Sequence, residues 1–301
     1  MSLVERWVSA GRKLKNNQSF IRFCRAFGIY TALSKLFIKL FELLLSYKIR
    51  KDLIGTINVQ GISFNFYDPT LQYLLQSTLG ETYEPAVTNH IKKLIQEKNS
   101  CFLDIGSYYG FYTAYIGALN PGTEIHSFEP NSNFFDITKK NIELNNIKAG
   151  VYQVALSDSK GQIPFSNRSM KANDKNNIEI VESITFDELS ETNNIKPDIV
   201  KLDVHGGEGK VLFGMKKALR EHIKHLYLEL HPNELLVDYS IKDIIDLLIA
   251  SGFELFEINR FRRENMPEIT KISNEDYLNL IDQDKWTQEQ IKERRMIYAK
   301  K

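Results

Sequence analysis

The sequence predicts an α/β fold, in which a mainly parallel sheet carries helices on both faces. From residue 101 onward, short apolar segments alternate with amphipathic ones, which is typical of strand–helix–strand crossover units. The chain has 301 residues, of which 43% are apolar and 26% charged, and this suits a globular domain with one large core. The predicted strands are 101–105, 125–129, 150–155, 198–203, 224–230 and 253–258, and helices are expected near 111–119, 131–145, 184–191, 207–221 and 240–250.

Further elements flank this alternation, and together they define two regions. Residues 56–301 are predicted to form the main domain, and residues 1–55 a helical N-terminal extension that is basic and apolar. The additional elements are a hairpin over Ile57–Phe66 around Gln60-Gly61, a helix at 86–97, a surface loop at 166–178, an insertion with short helices at 259–293, and a last strand at 295–300.

The first 51 residues contain eleven Lys and Arg against two Asp and Glu, although the whole chain has a formal net charge of +1. This local charge favours an anionic partner of the segment over general nucleic-acid binding. Within residues 20–50, apolar side chains recur at helical spacing, but Lys35, Lys39 and Glu42 interrupt them, so the segment is too polar for a membrane span. Two interpretations stay open: a helical hairpin packed on the domain or a second subunit, and an amphipathic helix on an anionic membrane surface.

Cysteine content and the N-terminal residues indicate a cytoplasmic protein, and the basic segment leaves peripheral attachment to the membrane as an alternative. Cys24 and Cys101 are the two cysteines, and their spacing forms no motif. The first residues are charged and contain no apolar run of the kind that a signal peptide has.

A strand, a glycine turn and a helix follow one another in Cys101–Thr113. Asp104 ends the strand, and Gly106 and Gly110 follow at a spacing of four. A turn of this kind lets a ligand approach the backbone closely. A carboxylate at this point is unfavourable for a phosphate but suits a ligand with positive charge, such as an amino acid end or a sulfonium. The alternative is an ordinary corner with a capping acid.

Polar residues end the other predicted strands as well. In an open parallel sheet the ligand lies beyond the carboxyl ends of the strands, so these residues are expected at one site. They are Glu129, which follows the glycine turn by about twenty residues and suits a ribose, Asp158 in Ala155-Leu-Ser-Asp158, Asp203 and His205 in Lys201–Glu208, and Glu229 and His231 in the next strand.

The glycine turn separates two classes of nucleotide cofactor. A dinucleotide site has Gly-x-Gly-x-x-Gly, whereas this chain has Asp-x-Gly-x-x-x-Gly with bulky Tyr108 and Tyr109 between the glycines. The two tyrosines leave little room for a pyrophosphate, but the turn can hold a methionine moiety with its ammonium. S-adenosylmethionine is therefore favoured over NAD.

Residues from about 62 to 260 resemble the FkbM-type family of S-adenosylmethionine-dependent methyltransferases. No single motif identifies the family, but the order and spacing of several motifs do. The motifs are Gly80–Glu84, Leu103–Tyr112, Phe128–Asn131, Asn141–Asn145, Ala155–Asp158, Ile184–Leu189, Lys201–Glu208 and Glu229–His231. The resemblance implies a class I, Rossmann-like fold with a doubly wound seven-stranded sheet whose last strand is antiparallel. It also implies methyl transfer to a hydroxyl group of a sugar, glycan or related metabolite.

The resemblance also implies roles for individual residues. Asp104, Gly106, Ser107, Gly110 and Tyr112 would meet the amino acid end of the cofactor. The ribose and adenine would lie against Glu129, Pro130, Asn131, Ala155, Leu156 and Asp158, and Asp203 would lie between cofactor and acceptor. This chain departs from the family at His205, where a glutamate is usual, and at Gly207, where a small residue such as alanine is usual.

Methyl transfer to an alcohol needs a group that accepts the hydroxyl proton. His205 or His231 is the predicted base, oriented by Asp203 or Glu229, because the histidine pKa is ordinarily near neutrality. A divalent metal is the less favoured alternative, with manganese or magnesium bound by Asp203, His205, Glu208, Glu229 and His231. The other functional alternatives are a non-catalytic cofactor-binding module, if His205 has disabled the acceptor site, and an NAD-dependent oxidoreductase.

Overall fold

A computed structural model describes residues 53–95, 100–166, 178–259, 261–262, 269–282, 286–287 and 294–301. The predicted basic extension, apart from residues 53–55, and most of the loop at 166–178 lie outside the described residues. Residues 20–50 are among those outside. The chain divides into two compact units between Tyr83 and Glu84. Among the described residues, no helix is both long enough and apolar enough to cross a membrane.

The first unit contains the predicted hairpin. Strands β1 (Ile54–Val59) and β2 (Ile62–Tyr67) pair antiparallel, and the turn residues Gln60 and Gly61 have positive φ angles of 53° and 86°. Two consecutive positive φ values give a turn whose twist matches that of the strands. Helix α1 (Gln72–Leu79) follows, and the Asp68 carboxylate accepts hydrogen bonds from the N–H groups of its first turn.

The second unit is organised around a sheet that has eight strands among the described residues. Its strands are β3 (Cys101–Ile105), β4 (Glu124–Phe128), β5 (Gly150–Tyr152), β9 (Ile199–Leu202), β10 (His225–Leu230), β11 (Glu254–Ile258), β12 (Ile269–Lys271) and β13 (Arg295–Lys300). Their spatial order is β12-β11-β13-β10-β9-β3-β4-β5. Strands β5, β4, β3, β9 and β10 pair parallel, and β13 lies antiparallel between β10 and β11.

Seven of these strands confirm the doubly wound sheet with an antiparallel last strand. Strand β12 is an eighth, antiparallel to β11, and it comes from the insertion at 259–293. The insertion also contains a helix, as predicted. The order reverses next to β3, because β4 lies on one side of it and β9 on the other. The carboxyl end of β3 is therefore at the switch point where ligands bind in open α/β sheets.

Helices follow the strands in the alternation that the sequence predicts. They are α2 (Pro85–Leu94), α3 (Phe111–Leu119), α4 (Ser132–Glu143), α5 (Phe186–Asn193), α6 (Glu208–Phe213), α7 (Lys216–Glu221), α8 (Ile241–Ala250) and α9 (Asn274–Ile281). The single helix predicted over 207–221 is wrong, since α6 ends at Phe213 and Gly214 follows as its C-cap. A Cβ atom there would lie 1.8 Å from the Ser157 carbonyl oxygen, so only glycine permits this close backbone approach.

A second, three-stranded sheet was not predicted. Strand β8 (Ile178–Ile184) pairs parallel with β6 (Ala155–Leu156) and antiparallel with β7 (Gly161–Ser166). The strand predicted over 150–155 is thus two short strands that belong to different sheets. In β8 the alternation of apolar and polar residues does not report which side chains are buried, because the apolar Ile178 and Ile180 face solvent.

Candidate active site

The glycine turn after β3 is held between two neighbouring strands. Gly106 and Ser107 donate their N–H groups to the Phe128 carbonyl oxygen at 3.0 and 3.1 Å. On the other side, the Asp203 carbonyl oxygen lies so close that a Cβ atom on Gly106 would be 1.9 Å from it. Gly106 also has a φ of +79°. Both the space and the backbone conformation therefore require glycine.

The second half of the turn begins helix α3. Gly110, with a φ of +73°, precedes the helix, and its N–H donates to the Ser107 carbonyl oxygen at 2.7 Å. Tyr108 also has a positive φ, 53°, and its N–H donates to Glu129 Oε2 at 2.9 Å. The turn is consequently tied to the end of β4 by its backbone.

Asp104 lies at the base of this turn and is buried. Its Oδ2 accepts hydrogen bonds from the Thr113 N–H at 3.0 Å and from the Thr113 hydroxyl at 2.7 Å. Burial raises the pKa of Asp104 to about 6, although the Thr113 hydrogen bonds and the nearby Lys201 ammonium oppose this rise. The first turn of α3 thus fixes the orientation of the Asp104 carboxyl group.

Glu129, at the end of β4, has both carboxylate oxygens oriented by the backbone. Oε2 accepts the Tyr108 N–H, and Oε1 accepts the Asn131 N–H at 2.9 Å. Pro130 lies between these residues, and the Asn131 side chain caps α4 by accepting the Phe134 N–H. A carboxylate has about four acceptor sites, so it can bind two N–H groups and also the two hydroxyls of a ribose.

Ala155 and Leu156, predicted to border the base, are buried in β6. Asp158 follows them and is already engaged by protein side chains. Its Oδ2 accepts the Tyr239 hydroxyl at 3.0 Å, and its Oδ1 lies 3.5 Å from Lys210 Nζ. Burial alone would raise the pKa of Asp158, but the hydrogen bond from Tyr239 and the Lys210 charge outweigh it and hold that pKa below its usual range.

Asp203 is the first residue after β9 and lies beside the glycine turn. Its N–H donates to the Ile105 carbonyl oxygen at 3.0 Å. Its Oδ2 is 3.8 Å from Lys201 Nζ, and its Oδ1 is 4.0 Å from His205 Nε2. Burial would raise the pKa of Asp203, but the Lys201 ammonium and then His205 outweigh it, so the pKa lies well below its usual range.

The two histidines predicted as bases differ in exposure. His205 has a left-handed backbone with a φ of 51°, and its side chain is 40% exposed. The His231 side chain is 0% exposed, and the centroids of the His205 and His231 rings are 4.9 Å apart. His231 Nδ1 lies 2.8 Å from Glu208 Oε1, and its Nε2 lies 3.9 Å from Glu229 Oε1. Burial would lower the pKa of His231, but the carboxylates of Glu208, Asp203 and Glu229 raise it overall.

Glu229 is buried and lies against a cation. Its Oε1 is 2.7 Å from a guanidinium nitrogen of Arg262. Burial raises the pKa of Glu229 to about 8, and the nearby carboxylates of Asp203 and Glu84 add to the rise. Among the four predicted catalytic residues, Glu229 and His231 are therefore interior groups, His205 is 40% exposed, and Asp203, at 18%, is mostly buried.

The sequence did not predict the charged network below these residues. Lys201 is buried, with Nζ 4.0 Å from Glu84 Oε2 and 5.5 Å from the centroid of the Tyr112 ring. The Tyr112 hydroxyl, predicted to lie near the cofactor, donates to Glu84 Oε2 at 2.6 Å. A lysine inside the apolar strand Ile199–Leu202 was the available signal, because a buried ammonium requires carboxylate partners.

Three groups of metal-ligating side chains converge within the described ranges. In each, the ligand atoms all lie within 4.8 Å of one another: Asp203 with His205 and His231; Glu84 with Asp203 and Glu229; and Cys101 with Glu124 and His126. The predicted five-residue set does not converge as one group. Glu208 instead accepts the Gly206 N–H at 3.1 Å and faces His231.

The family model described as "Methyltransferase FkbM domain" matches residues 104–255, which are half of the chain. The chain belongs to this family. The matched range contains the glycine turn, Glu129, Asp203 and both histidines of the site. The FkbM family consists of S-adenosylmethionine-dependent methyltransferases, so the resemblance and the Rossmann-like methyltransferase fold predicted from the sequence are confirmed. Membership gives no support to the NAD-dependent alternative.

Two curated relatives are methyltransferases. The hexuronic acid methyltransferase AglP of Haloferax volcanii is 29% identical over 172 residues, which are 54% of this chain and 68% of the relative. The methyltransferase sdnD of Sordaria araneosa is 24% identical over 227 residues, which are 62% of this chain and 85% of the relative.

Solved methyltransferase structures resemble the FkbM chain at low identity. A SAM-dependent methyltransferase from Agrobacterium tumefaciens aligns with a TM-score of 0.45 and 11% identity, over 83% of this chain and 70% of that one. Fibrillarin from Aeropyrum pernix, in complex with S-adenosyl-L-methionine, aligns with a TM-score of 0.39 and 12% identity, over 71% and 73% of the two chains.

Proposed function

We propose that this chain transfers the methyl group of S-adenosylmethionine to a hydroxyl group of a sugar or glycan. One observation carries the proposal: the Asp203–His205 pair adjoins the glycine turn, because the Asp203 backbone packs directly on Gly106. A methyl donor in that turn and an acceptor at this pair would be neighbours. In-line transfer requires this proximity.

The chemistry of the site suits the proposed cofactor. Carboxylates end three adjacent strands, at Asp104, Glu129 and Asp203, so the ligand should carry positive charge. S-adenosylmethionine supplies an electrophilic methyl group on a sulfonium and also carries an ammonium. Asp104, Gly106, Ser107, Gly110 and Tyr112 are proposed for its amino acid end, Glu129, Pro130 and Asn131 for its ribose, and Ala155, Leu156 and Asp158 for its base.

The protein's own residues would position the acceptor and manage its proton. The acceptor oxygen forms the new bond to carbon as the carbon–sulfur bond breaks, and its proton must leave. Asp203 and His205 would receive the hydroxyl, because His205 is partly exposed and the Asp203 carboxylate lies 4.0 Å from its ring. Glu229 and His231 would act from beneath them as positioning residues. The name of the AglP relative supports a sugar acid as the acceptor class.

The proposal is tested with the full-length chain, methyl-labelled S-adenosylmethionine and a matched pair of sugars. Methyl glucuronide and methyl glucoside differ at one carbon, where the first has a carboxylate. We expect label in a product that survives mild alkali, because a methyl ether is stable to base whereas a methyl ester is not. Preference for the glucuronide would support a sugar acid as acceptor.

The Asp203→Asn variant should lose roughly 100-fold in transfer rate, since positioned proton-handling groups contribute about that much or more. Asp136→Asn, an exposed change on α4, is the matched control and should leave the rate unchanged. Binding of S-adenosylhomocysteine without transfer to either sugar or to any component of a cell extract would overturn the proposal in favour of a non-catalytic binding module.

A further inference from the structure

We propose that Asp203, His205 and His231 bind a divalent transition-metal ion that activates the acceptor hydroxyl. This inference rests on the proposed methyl transfer and gives that reaction its means of activating the acceptor. The three side chains come from the ends of β9 and β10, which are neighbours in the sheet. Their ligand atoms all lie within 4.8 Å of one another, and Asp203 Oδ1 is 4.0 Å from His205 Nε2.

The separations are close to those of a metal centre. Ligand atoms that each lie about 2.1 Å from an ion are roughly 3–4 Å apart. Because the ligand atoms lie within 4.8 Å of one another, the widest pair would need to contract by about 1–2 Å, and side-chain rotation of the partly exposed His205 would contribute to this. The backbone favours this arrangement, because Gly206, with a φ of +111°, lets the chain turn beside the Leu235 carbonyl oxygen.

Unpartnered buried atoms point independently to a ligand. His231 is fully buried, and none of the residues that the structure describes forms a hydrogen bond with its Nε2. Within the same part of the chain, nothing donates a hydrogen bond to the buried Asp203 Oδ1. Buried polar atoms are otherwise almost always hydrogen-bonded, so each such atom needs a physical account. An ion bound by both would provide it.

The surroundings of His231 match those of a metal-binding histidine. Its Nδ1 lies 2.8 Å from Glu208 Oε1, and Glu208 is itself held by the Gly206 N–H. Metal-ligating histidines usually donate their second ring N–H to such an acceptor. Nδ1 is close enough to Glu208 Oε1 for this bond but is not aligned for it, so the ring would rotate slightly on binding the ion and leave Nε2 as the ligand. Nε2 is therefore the nitrogen of His231 that would bind the metal.

The ligand set selects the class of ion. Two imidazoles and one carboxylate suit divalent transition metals such as manganese, cobalt or zinc better than magnesium or calcium, which prefer oxygen ligands alone. Three protein ligands also leave coordination positions for the acceptor. On the ion, the hydroxyl would lose its proton to solvent, and the resulting alkoxide would attack the methyl carbon while the electron pair of the carbon–sulfur bond stays on sulfur.

The other two convergent groups do not carry this inference. Glu84 and Glu229 already face the cations Lys201 and Arg262. The third group, at the opposite ends of β3 and β4, is also engaged: His126 Nε2 lies 2.8 Å from Glu124 Oε1, and its Nδ1 lies 3.1 Å from the Tyr152 hydroxyl.

The experiment measures metal binding directly, without an acceptor. Metal-free protein is titrated with Co²⁺ and followed by visible absorption, and with Mn²⁺ and followed by electron paramagnetic resonance. We expect one ion of either metal to bind per chain, with weaker binding of Mg²⁺ in competition. His205→Gln should weaken Co²⁺ binding at least 10-fold, whereas His222→Gln, a half-buried histidine after α7, should not change it.

Two further variants keep the test independent of folding. His231→Gln and Asp203→Asn should also lose the ion, and each is checked by its binding of S-adenosylhomocysteine. The absence of a stoichiometric ion in the wild-type protein, or unchanged binding in His205→Gln, would overturn the metal site. Full methyl transfer after chelation would overturn it as well and leave the proposed function intact, with His205 as the base. Metal binding without transfer to any hydroxyl would support the site and overturn the proposed function.

Discussion

The backbone of Gly106 and the carbonyl oxygen of Asp203 are in direct contact, and this contact joins the proposed cofactor side of the site to its acceptor side. A Cβ atom on Gly106 would lie 1.9 Å from that oxygen. The contact spans two adjacent parallel strands, β3 and β9, whose carboxyl ends share one edge of the sheet. Any displacement of the turn would therefore also displace Asp203.

Replacing Gly106 with alanine should damage both cofactor binding and stability. The new methyl group meets backbone that cannot rotate away, and the left-handed φ of +79° adds roughly 1–2 kcal/mol of strain. We expect a loss of affinity for S-adenosylhomocysteine of at least 10-fold in calorimetry, together with a lower melting temperature. Gly161→Ala is the matched control, because the nearest atom to its Cβ is 4.0 Å away. Equal behaviour of the two variants would contradict the proposed role of the turn.

Asp104 should make cofactor binding dependent on pH. Burial raises its pKa to about 6, and a ligand with an ammonium group favours the carboxylate. Affinity for S-adenosylhomocysteine should therefore strengthen as the pH rises through about 6, by roughly 10-fold between pH 5 and pH 7.5. Calorimetry across this range measures the change, and Asp104→Asn should flatten it. A wild-type profile that is already flat would remove Asp104 from the cofactor site.

The same shift affects the stability of the unliganded protein in the opposite direction. The folded pKa of about 6 lies above the ordinary value of 3.8, so the protonated form stabilises the fold fully below pH 3.8. That stabilisation is lost as the pH rises through about 6. Denaturant unfolding of Asp104→Asn and of the wild type should therefore differ in slope against pH across this window.

Glu129 should determine whether the ribose hydroxyls contribute to binding. Both of its oxygens accept backbone N–H groups, so the carboxylate is fixed in place for a ligand. Wild-type protein should bind S-adenosylhomocysteine roughly 10-fold or more tightly than its 2′-deoxy analogue, since a hydrogen bond to a charged group contributes about 1.5–3 kcal/mol.

In Glu129→Gln that preference should shrink, because the amide cannot accept through both of its terminal atoms. Glu124→Gln, at the other end of the same strand, is the control and should keep the wild-type ratio. A purely structural role for Glu129 would lower both affinities equally and leave their ratio unchanged, and that result would contradict ribose binding.

Strand ends are the part of the site that the sequence could predict, because parallel strands bring their carboxyl ends to one edge regardless of side-chain detail. Asp104, Glu129 and Asp203 were found in this way, and register between β3, β4 and β9 brings them together. The exposure of a side chain cannot be obtained by the same argument. His205 and His231 follow neighbouring strands at similar positions, yet one is exposed and the other is fully buried.

Contacts between distant parts of the chain were also beyond prediction. Glu84 precedes the first strand of the main sheet, but it shares a buried network with Lys201 and Arg262. Periodicity reports which face of an element is apolar, whereas such a network depends on how separate elements meet. Strand β12 was missed for a related reason: its three residues are too few to show any period.

Removing the Lys201 ammonium alone should destabilise the protein more than removing that ammonium together with one of its carboxylate partners. Lys201 is buried, with Glu84 at 4.0 Å and Asp203 at 3.8 Å, and the attraction of its carboxylates raises its pKa although burial opposes the rise. Lys201→Met leaves those carboxylates buried without their cation, at a cost of about 3–5 kcal/mol in the free energy of unfolding. Adding Glu84→Gln should recover part of that loss, since one of the uncompensated charges is then gone. Urea unfolding of the wild type, both single variants and the double variant measures the coupling, and additive changes would show that the two charges do not interact.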